Sequence, residues 1–298
     1  MSPAPRFVVD SPSLIYRAFF ALPASIRDGD GHAVNAARGY LDFCATMLSE
    51  RRPSGLVHVL DADWRPAFRV AAYAGYKSKR APEPSELTWQ FALIDDLVDA
   101  AGLETATTAG YEADDVLATL AEEATDEAPV AIVSGDRDLL QLVRDPAVHV
   151  LFTRRGVTDM DRFDEAAVAA KYGIPPRAYA DFAILRGDPS DGLPGIRGIG
   201  EQSAASLIQR YGSIAAVRAA AAAGSPGFAP RQASAVRDAA EYLDAMEIVV
   251  RLPRNLELTR QARRPPDVER LRTLGERHRV ETPVERLLHA LELLPPPR

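Results

Sequence analysis

Val130-Ala131-Ile132-Val133-Ser134-Gly135-Asp136, residues 130–136, is an apolar run that breaks at a small turn and ends on a carboxylate. A short continuous apolar run bounded by turn formers reads as a buried strand. Two other runs share the design, Phe7-Val8-Val9 before Asp10 and Leu56 to Leu60 before Asp61. Between them lie helical patterns. Leu93, Ile94, Leu97, Val98 and Ala101 recur at three- and four-residue steps, and Gly102 supplies a stop. Val116, Leu117 and Leu120 mark a second helix that starts near Glu112. Short buried strands alternating with helices imply an α/β domain with a mostly parallel central sheet. In such sheets sites form at the carboxyl ends of the strands. Asp10, Asp61 and Asp136 are therefore expected along one edge.

After about Tyr172 the strand signal disappears. Residues 173–298 read as helices joined by Gly/Pro turns at 187–200, 224–230 and 263–266. The expected organisation is an α/β unit over 1–172 followed by a helical unit over 173–298. The alanine-rich run Ala215 to Ala223 reads as a plain helix. The closing Leu293-Leu294-Pro295-Pro296-Pro297-Arg298 is expected to fray, because consecutive prolines cannot continue a helix.

The composition, 47% hydrophobic and 26% charged over 298 residues, is that of an ordinary globular protein. Cys44 is the single cysteine, which excludes a disulfide framework and a thiolate metal cluster. Met1 to Asp10 lacks the apolar core of a signal peptide, and no run approaches the roughly 20 apolar residues of a membrane span. A reducing, cytoplasmic location without membrane attachment is the expectation. The net charge of −7 argues at first against nucleic acid as a partner. The objection weakens if many of the acids sit in one cluster with bound cations.

Nine carboxylates form that candidate cluster: Asp10, Asp61, Glu112, Asp114, Asp115, Asp136, Asp138, Asp188 and Asp191. Glu112, Asp114 and Asp115 open a helix, where the positive end of the dipole favours negative charge. Asp136 and Asp138, two apart just past a strand, can both face a cleft. Asp188 and Asp191 flank a tight Pro189-Ser190 turn. So many acids on one edge would repel one another without cations, and hard oxygen ligands suit Mg²⁺ or Mn²⁺. Two such ions about 4 Å apart activate water and stabilise the leaving oxygen in phosphodiester cleavage. Taken singly these acids have plainer readings as caps and solvated turns. Asp95, Asp96 and Asp99, on the polar face of an apolar-striped helix, show that plainer case.

Leu193-Pro194-Gly195-Ile196-Arg197-Gly198-Ile199-Gly200 precedes a helical run, Glu201 to Arg210. Glycines let a backbone approach closely, and a helix start offers free amides to an anion such as phosphate. This is a helix-hairpin-helix pattern, expected over about 185–212, and it reads DNA backbone rather than base sequence. It begins immediately after Asp191, which ties a phosphate grip to the acidic cluster.

Here the residues resemble the 5′-nuclease family: the N-terminal domain of bacterial DNA polymerase I, phage 5′-exonucleases and flap endonucleases. The similarity covers about residues 6–255 in six blocks. They are Val9-Asp10 with Tyr16-Arg17-Ala18-Phe19-Phe20; Asp61 with Phe68-Arg69; Ala74-Gly75-Tyr76-Lys77; Gly110 to Leu117; Ser134 to Leu139; and Gly187-Asp188-Pro189-Ser190-Asp191 through Gly200. The resemblance implies a PIN-like nuclease domain with an arch near 73–90, and cleavage of 5′ flaps and 5′ ends with two or more Mg²⁺ or Mn²⁺ ions. It implies that all nine carboxylate positions are occupied, and that Lys77 and Arg80 are the basic arch residues that neutralise the scissile phosphate. Tyr16, Arg17, Arg69, Tyr76, Gly195, Arg197, Gly198 and Gly200 are implied DNA contacts. A K⁺ ion is implied at the hairpin carbonyls of Leu185, Arg186, Pro194, Ile196 and Ile199.

Arg137 and Arg197 stand where lysine is common in the family, Gln202 replaces a frequent lysine, and Gly192 a frequent asparagine. With no polymerase region following, the chain reads as a stand-alone monomeric enzyme acting on DNA flaps, nicks or 5′ ends, and on RNA–DNA hybrids. Two other classes are weighed against this one. A DNA-structure binding module without catalysis would lack some metal positions, and none is substituted. A small-molecule phosphohydrolase would not need the hairpin.

Overall fold

The computed structural model describes residues 3–154, 156–225 and 227–296. The first part runs β1 (Arg6–Asp10), α1 (Ser11–Ala21), α2 (Asn35–Thr46), β2 (Gly55–Val59), α3 (Ala67–Ala72), α4 (Ser85–Ala100) and β3 (Glu104–Thr107). It continues through α5 (Ala113–Glu122), β4 (Val130–Ser134), β5 (Val148–Thr153), β6 (Met160–Phe163) and α6 (Glu165–Tyr172). The second part is α7 (Tyr179–Arg186), α8 (Glu201–Tyr211), α9 (Ile214–Ala222), α10 (Pro230–Asp238) and α11 (Ala240–Val249). The chain ends with β7 (Thr259–Gln261), α12 (Val268–Arg277) and α13 (Glu281–Leu291).

Seven strands form one sheet in the order β6-β5-β4-β1-β2-β3-β7. The five inner strands are parallel, and β6 and β7 add antiparallel edges. The chain moves outward from β1 through β2 to β3, then crosses to the other side of β1 for β4 and β5. That reversal opens a crevice beyond the carboxyl ends of β1 and β4, where an open α/β sheet takes its ligand. Register aligns the strand ends, with Asp10 opposite Val59 and Val9 opposite Val133. Successive β1 side chains enter opposite cores, Phe7 and Val9 on the α1/α2 side and Val8 on the α5 side. With both faces covered, β1 and β4 have no polar face, hence the unbroken apolar runs.

Three expectations are corrected. The segment after Tyr172 is not wholly helical, because β7 pairs with β3. Its three residues are exposed and carry no apolar period, so no sequence signal marks them. The segment after Val250 also does not stay with the helical unit. Leu271, Val280, Val284, Leu287 and Leu291 join the core that holds Leu14, Tyr40, Leu93 and Leu97. Nor does the whole tail fray, since Leu294 is buried in that core, while Pro297 and Arg298 lie outside the described residues. Pro226, in the expected turn at 224–230, also lies outside them. The arch region has helix only from Ser85; residues 73–84 are turn and coil. No described helix is long and apolar enough to cross a membrane.

Candidate active site

Asp10 closes β1 and caps α1, its Oδ1 accepting from the Ser13 amide at 3.2 Å. The Ser134 hydroxyl at the end of β4 donates to its other oxygen. Asp61, just past β2, accepts from the Ala113 amide at 2.7 Å, which ties the β2 end to the start of α5. Asp114 lies in the first turn of that helix. Asp136 and Asp138 follow β4, and Asp136 Oδ1 accepts from the Asp138 amide at 2.8 Å. Asp188 opens a short turn, its carboxylate accepting from the Ser190 amide at 2.8 Å, and Asp191 ends it.

The structure brings these carboxylates together. Asp10, Asp61, Glu112, Asp114 and Asp136 line one cleft of ≈ 1120 Å³. Asp136 is shared with an adjoining cleft of ≈ 510 Å³, whose wall includes Asp188, Arg137 and Arg186. Asp138 and Asp191 lie close enough to Asp136 to act on its charge or feel it. Asp115 alone is turned away and fully buried beneath the cleft.

Burial and mutual repulsion hold Asp10, Asp61, Asp114, Asp136 and Asp138 toward the neutral form. Burial pushes Asp10 up to about 7, the Ser134 hydrogen bond opposing it while Asp61 and Asp136 add to it. Asp114 and Asp138 are raised well above the usual carboxylate range, by burial first and then by neighbouring acids. Asp136 is raised by burial against the relief of the Asp138 amide. Asp61 keeps solvent contact on its cleft side, yet protein surrounds the rest, and that desolvation raises it. Asp138 Oδ1 is buried without a hydrogen-bond partner. Oxygen donors alone, held together against repulsion with one oxygen unsatisfied, fit a hard divalent cation.

Two expected DNA contacts are corrected. Arg69 is buried, its Nη1 bonding Glu112 at 2.8 Å and Asp115 at 2.7 Å and its Nη2 bonding Asp115 at 2.6 Å. Tyr76 is buried too and donates to Glu112 at 2.6 Å. These side chains hold the acids of α5 rather than face a ligand. Glu112 and Asp115 also close a capping box, so helix start and ion-pair network fix each other. Lys77 pairs with Glu112 from a left-handed backbone, φ +50°, and its amide donates to the Asp191 carbonyl at 2.8 Å. Burial works against its charge, but Glu112 and Asp191 outweigh it and raise the ammonium. Arg80 reaches Asp191 at 2.6 Å. Both cations therefore stand at the carboxylates.

Tyr16 lines the cleft and donates to Glu83 at 3.1 Å. Arg17 leans over Gly135 and donates to the Arg154 carbonyl at 2.9 Å. In the hairpin, Gly187 and Gly195 pass so closely that a side chain on either would strike the other's backbone. Arg197, Gly198 and Gly200 are exposed at its tip, and α8 begins beyond Gly200 without a side-chain cap. Of the five carbonyls considered for K⁺, those of Leu185 and Ile196 already accept amides, from Ile196 at 3.0 Å and Ile199 at 2.9 Å. Sequence reasoning missed Ser134, whose hydroxyl meets Asp10 across 124 residues, and Trp64, an exposed aromatic in the cleft wall. Neither stands in a pattern that spacing alone would reveal.

The sequence pattern described as "5′-3′ exonuclease, N-terminal resolvase-like domain" matches residues 5–173, and "5′-3′ exonuclease, C-terminal SAM fold" matches residues 174–269. The chain belongs to the 5′-3′ exonuclease family. A 5′-3′ exonuclease of Mycobacterium tuberculosis is 41% identical over 98% of this chain and 99% of its own length. One from Streptomyces coelicolor is also 41% identical, over 95% of this chain and 99% of its own. The thermostable DNA polymerase I of Thermus aquaticus is 38% identical over 98% of this chain, which corresponds to 33% of that longer protein. Among solved structures, bacteriophage T5 5′-exonuclease with bound divalent zinc ions shares the fold, with a TM-score of 0.65 at 17% identity, covering 96% of this chain and 99% of that one. The catalytic core of Rad2 in complex with a DNA substrate has a TM-score of 0.66 at 16% identity, covering 98% and 93%. This 5′-3′ exonuclease-family chain thus carries the cleft described above on the fold of a nuclease.

Proposed function

We propose that the cleft hydrolyses phosphodiester bonds at the 5′ ends and 5′ flaps of DNA, with Mg²⁺ or Mn²⁺ as cofactor. The observation that carries this is the convergence of carboxylates from five separate segments: six of the nine line two joined clefts, Asp138 and Asp191 lie beside their shared Asp136, and Asp138 Oδ1 is buried and unsatisfied. Asp10, Asp61, Asp114 and Asp136 would hold one ion and Asp136, Asp138, Asp188 and Asp191 another. Glu112 and Asp115 sit behind the first group, engaged by Arg69 and Lys77. Bound ions there supply Lewis acidity and lower the pKa of water.

The protein's own part is positioning. Ser134 and the Ser13 amide orient Asp10, and the Ala113 amide orients Asp61. Lys77 and Arg80, now paired with Glu112 and Asp191, are the cations nearest a phosphate entering the cleft, and they compensate its charge when it arrives. The exposed hairpin tip and the uncapped start of α8 offer backbone amides to phosphates of the adjoining duplex. Tyr16, Arg17 and Arg197 flank that path. Carbonyls of Arg186, Pro194 and Ile199, with those of Leu185 and Ile196, would hold a K⁺ ion beside it.

The substrates we assign are 5′ flaps, nicks and 5′ ends of DNA, with RNA–DNA hybrids as a further class, acted on by a monomer. Asp136→Ala removes the carboxylate common to both clefts. It is expected to abolish cleavage of a 5′-labelled flap while leaving flap binding measurable. Product lengths on flap, nick and hybrid substrates then separate endonucleolytic from exonucleolytic cutting. Full activity in Asp136→Ala would overturn the assignment.

A further inference from the structure

We propose that Trp64 is a stacking subsite for a nucleobase of the strand held in the cleft, and so a positioning residue for cleavage. The inference rests on reading the cleft as the nucleic-acid site. Trp64 follows β2 in the loop Asp61-Ala62-Asp63-Trp64-Arg65-Pro66, and it is 52% exposed. An indole is among the costliest side chains to leave in water, and its large rigid face suits a flat partner.

The exposure does not come from a slack loop. The Ala62 and Asp63 amides donate to the Tyr111 carbonyl at 3.3 and 3.1 Å. The Arg65 amide donates to Asp63 Oδ1 at 3.0 Å. The Arg65 guanidinium reaches the Tyr76 and Ala74 carbonyls at 2.7 and 3.0 Å. A backbone tied on both sides of Trp64 presents the indole in a defined place, so little ordering entropy remains to be lost when a base arrives.

The place is the catalytic cleft itself. Trp64 lines it together with Asp61, Lys77 and Arg80, and its carbonyl lies 3.5 Å from Lys77 Nζ. The same cleft includes Tyr16 and Phe91, whose ring centroids are 6.0 Å apart. Aromatic faces interleaved with cations along one groove are how single strands are held without regard to sequence: bases stack while phosphates meet the charges. The other tryptophan, Trp89, shows the contrasting case, packed on His32 and His278 at 5.3 and 6.0 Å. Stacking on Trp64 would fix the register of the strand relative to the carboxylates.

The two-tryptophan composition provides the test. In a Trp89→Phe, Asp136→Ala background, Trp64 is the only intrinsic indole reporter and turnover is removed. A single-stranded 5′-phosphorylated oligodeoxynucleotide in Mg²⁺ is expected to quench its fluorescence. An abasic residue scanned along the strand should relieve the quenching at one position. In the otherwise unaltered enzyme, Trp64→Ala should raise KM roughly 5- to 150-fold, with kcat much less affected, and Trp64→Phe should restore most of the loss. The abasic penalty should then vanish in Trp64→Ala. If anisotropy of a labelled oligonucleotide reports binding but Trp64 fluorescence does not move, the stacking proposal falls and the nuclease cleft stands. If no oligonucleotide binds, both fall.

Discussion

Arg69 is 1% exposed, and its guanidinium faces Glu112, Asp115 and the Val249 carbonyl. Removing Arg69 leaves the buried Asp115 without a cation, while Glu112 keeps Lys77, and breaking such a buried pair costs about 3–5 kcal/mol. Arg69→Met is therefore expected to lower the urea midpoint sharply. Arg69→Lys should recover only part, since a compact ammonium cannot reproduce the bidentate fork. An Arg69→Met protein as stable as the parent would return this cation to the DNA surface. The gathering of strand-end carboxylates at one cleft was legible in the sequence, and the facing of the cations was not. Arg69 and Arg80 look alike as residue types, yet one lies beneath α5 and the other opens on the cleft. Only the tertiary placement of α3 against α5 and α11 decides between them. For Asp10, Asp61 and Asp136 a strand-end position sufficed, because a parallel sheet sends every strand end to the same edge.

At the scale of elements, the turn at 73–80 and the hairpin after α7 are held against each other at one glycine. Gly192 has φ +76°, and a Cβ there would lie 2.5 Å from the Gly75 carbonyl oxygen. A side chain at Gly192 therefore has no room in this structure. Asparagine tolerates the left-handed backbone, but it does not fit against Gly75. Gly192→Asn should force the two segments apart and break the contact of the Lys77 amide with the Asp191 carbonyl, 2.8 Å in the parent. Misplacing Lys77 and Arg80 by about 1 Å should lower kcat/KM roughly 10- to 100-fold. Residues 78–82 should also become more open to protease. Unchanged kinetics and unchanged proteolysis would show that the contact is incidental. The inner strands β1, β2 and β4 were legible because both of their faces are buried. The edges β6 and β7 were not, being short, partly or wholly exposed, and specified by pairing rather than by pattern.

For the whole molecule, the C-terminal segment closes the first core. β7 extends the sheet beside β3, and α12 and α13 cover α2 and α4. Arg264 and Arg270 pair with Asp99, and Arg270 also with Asp96. The acids that read as an ordinary solvated helix face are thus the seat of a returning chain. The two-unit reading of the sequence implies that a cut after Val250 would spare the catalytic unit. The structure implies the opposite. Leu271, Val280, Val284, Leu287, Leu291 and Leu294 fill the core on that side of the sheet. Burying each is worth about 1.5–3 kcal/mol, and their sum rivals the roughly 5–15 kcal/mol that separates folded from unfolded domains. Chain ended at Val250 is expected to lose its cooperative thermal transition or to melt far below the parent, and to bind a hydrophobic dye through the uncovered faces of α2 and α4. It should lose flap cleavage with it, although all nine carboxylates remain. A truncated chain that melts at the parent temperature would mean that α12 and α13 decorate the core rather than complete it.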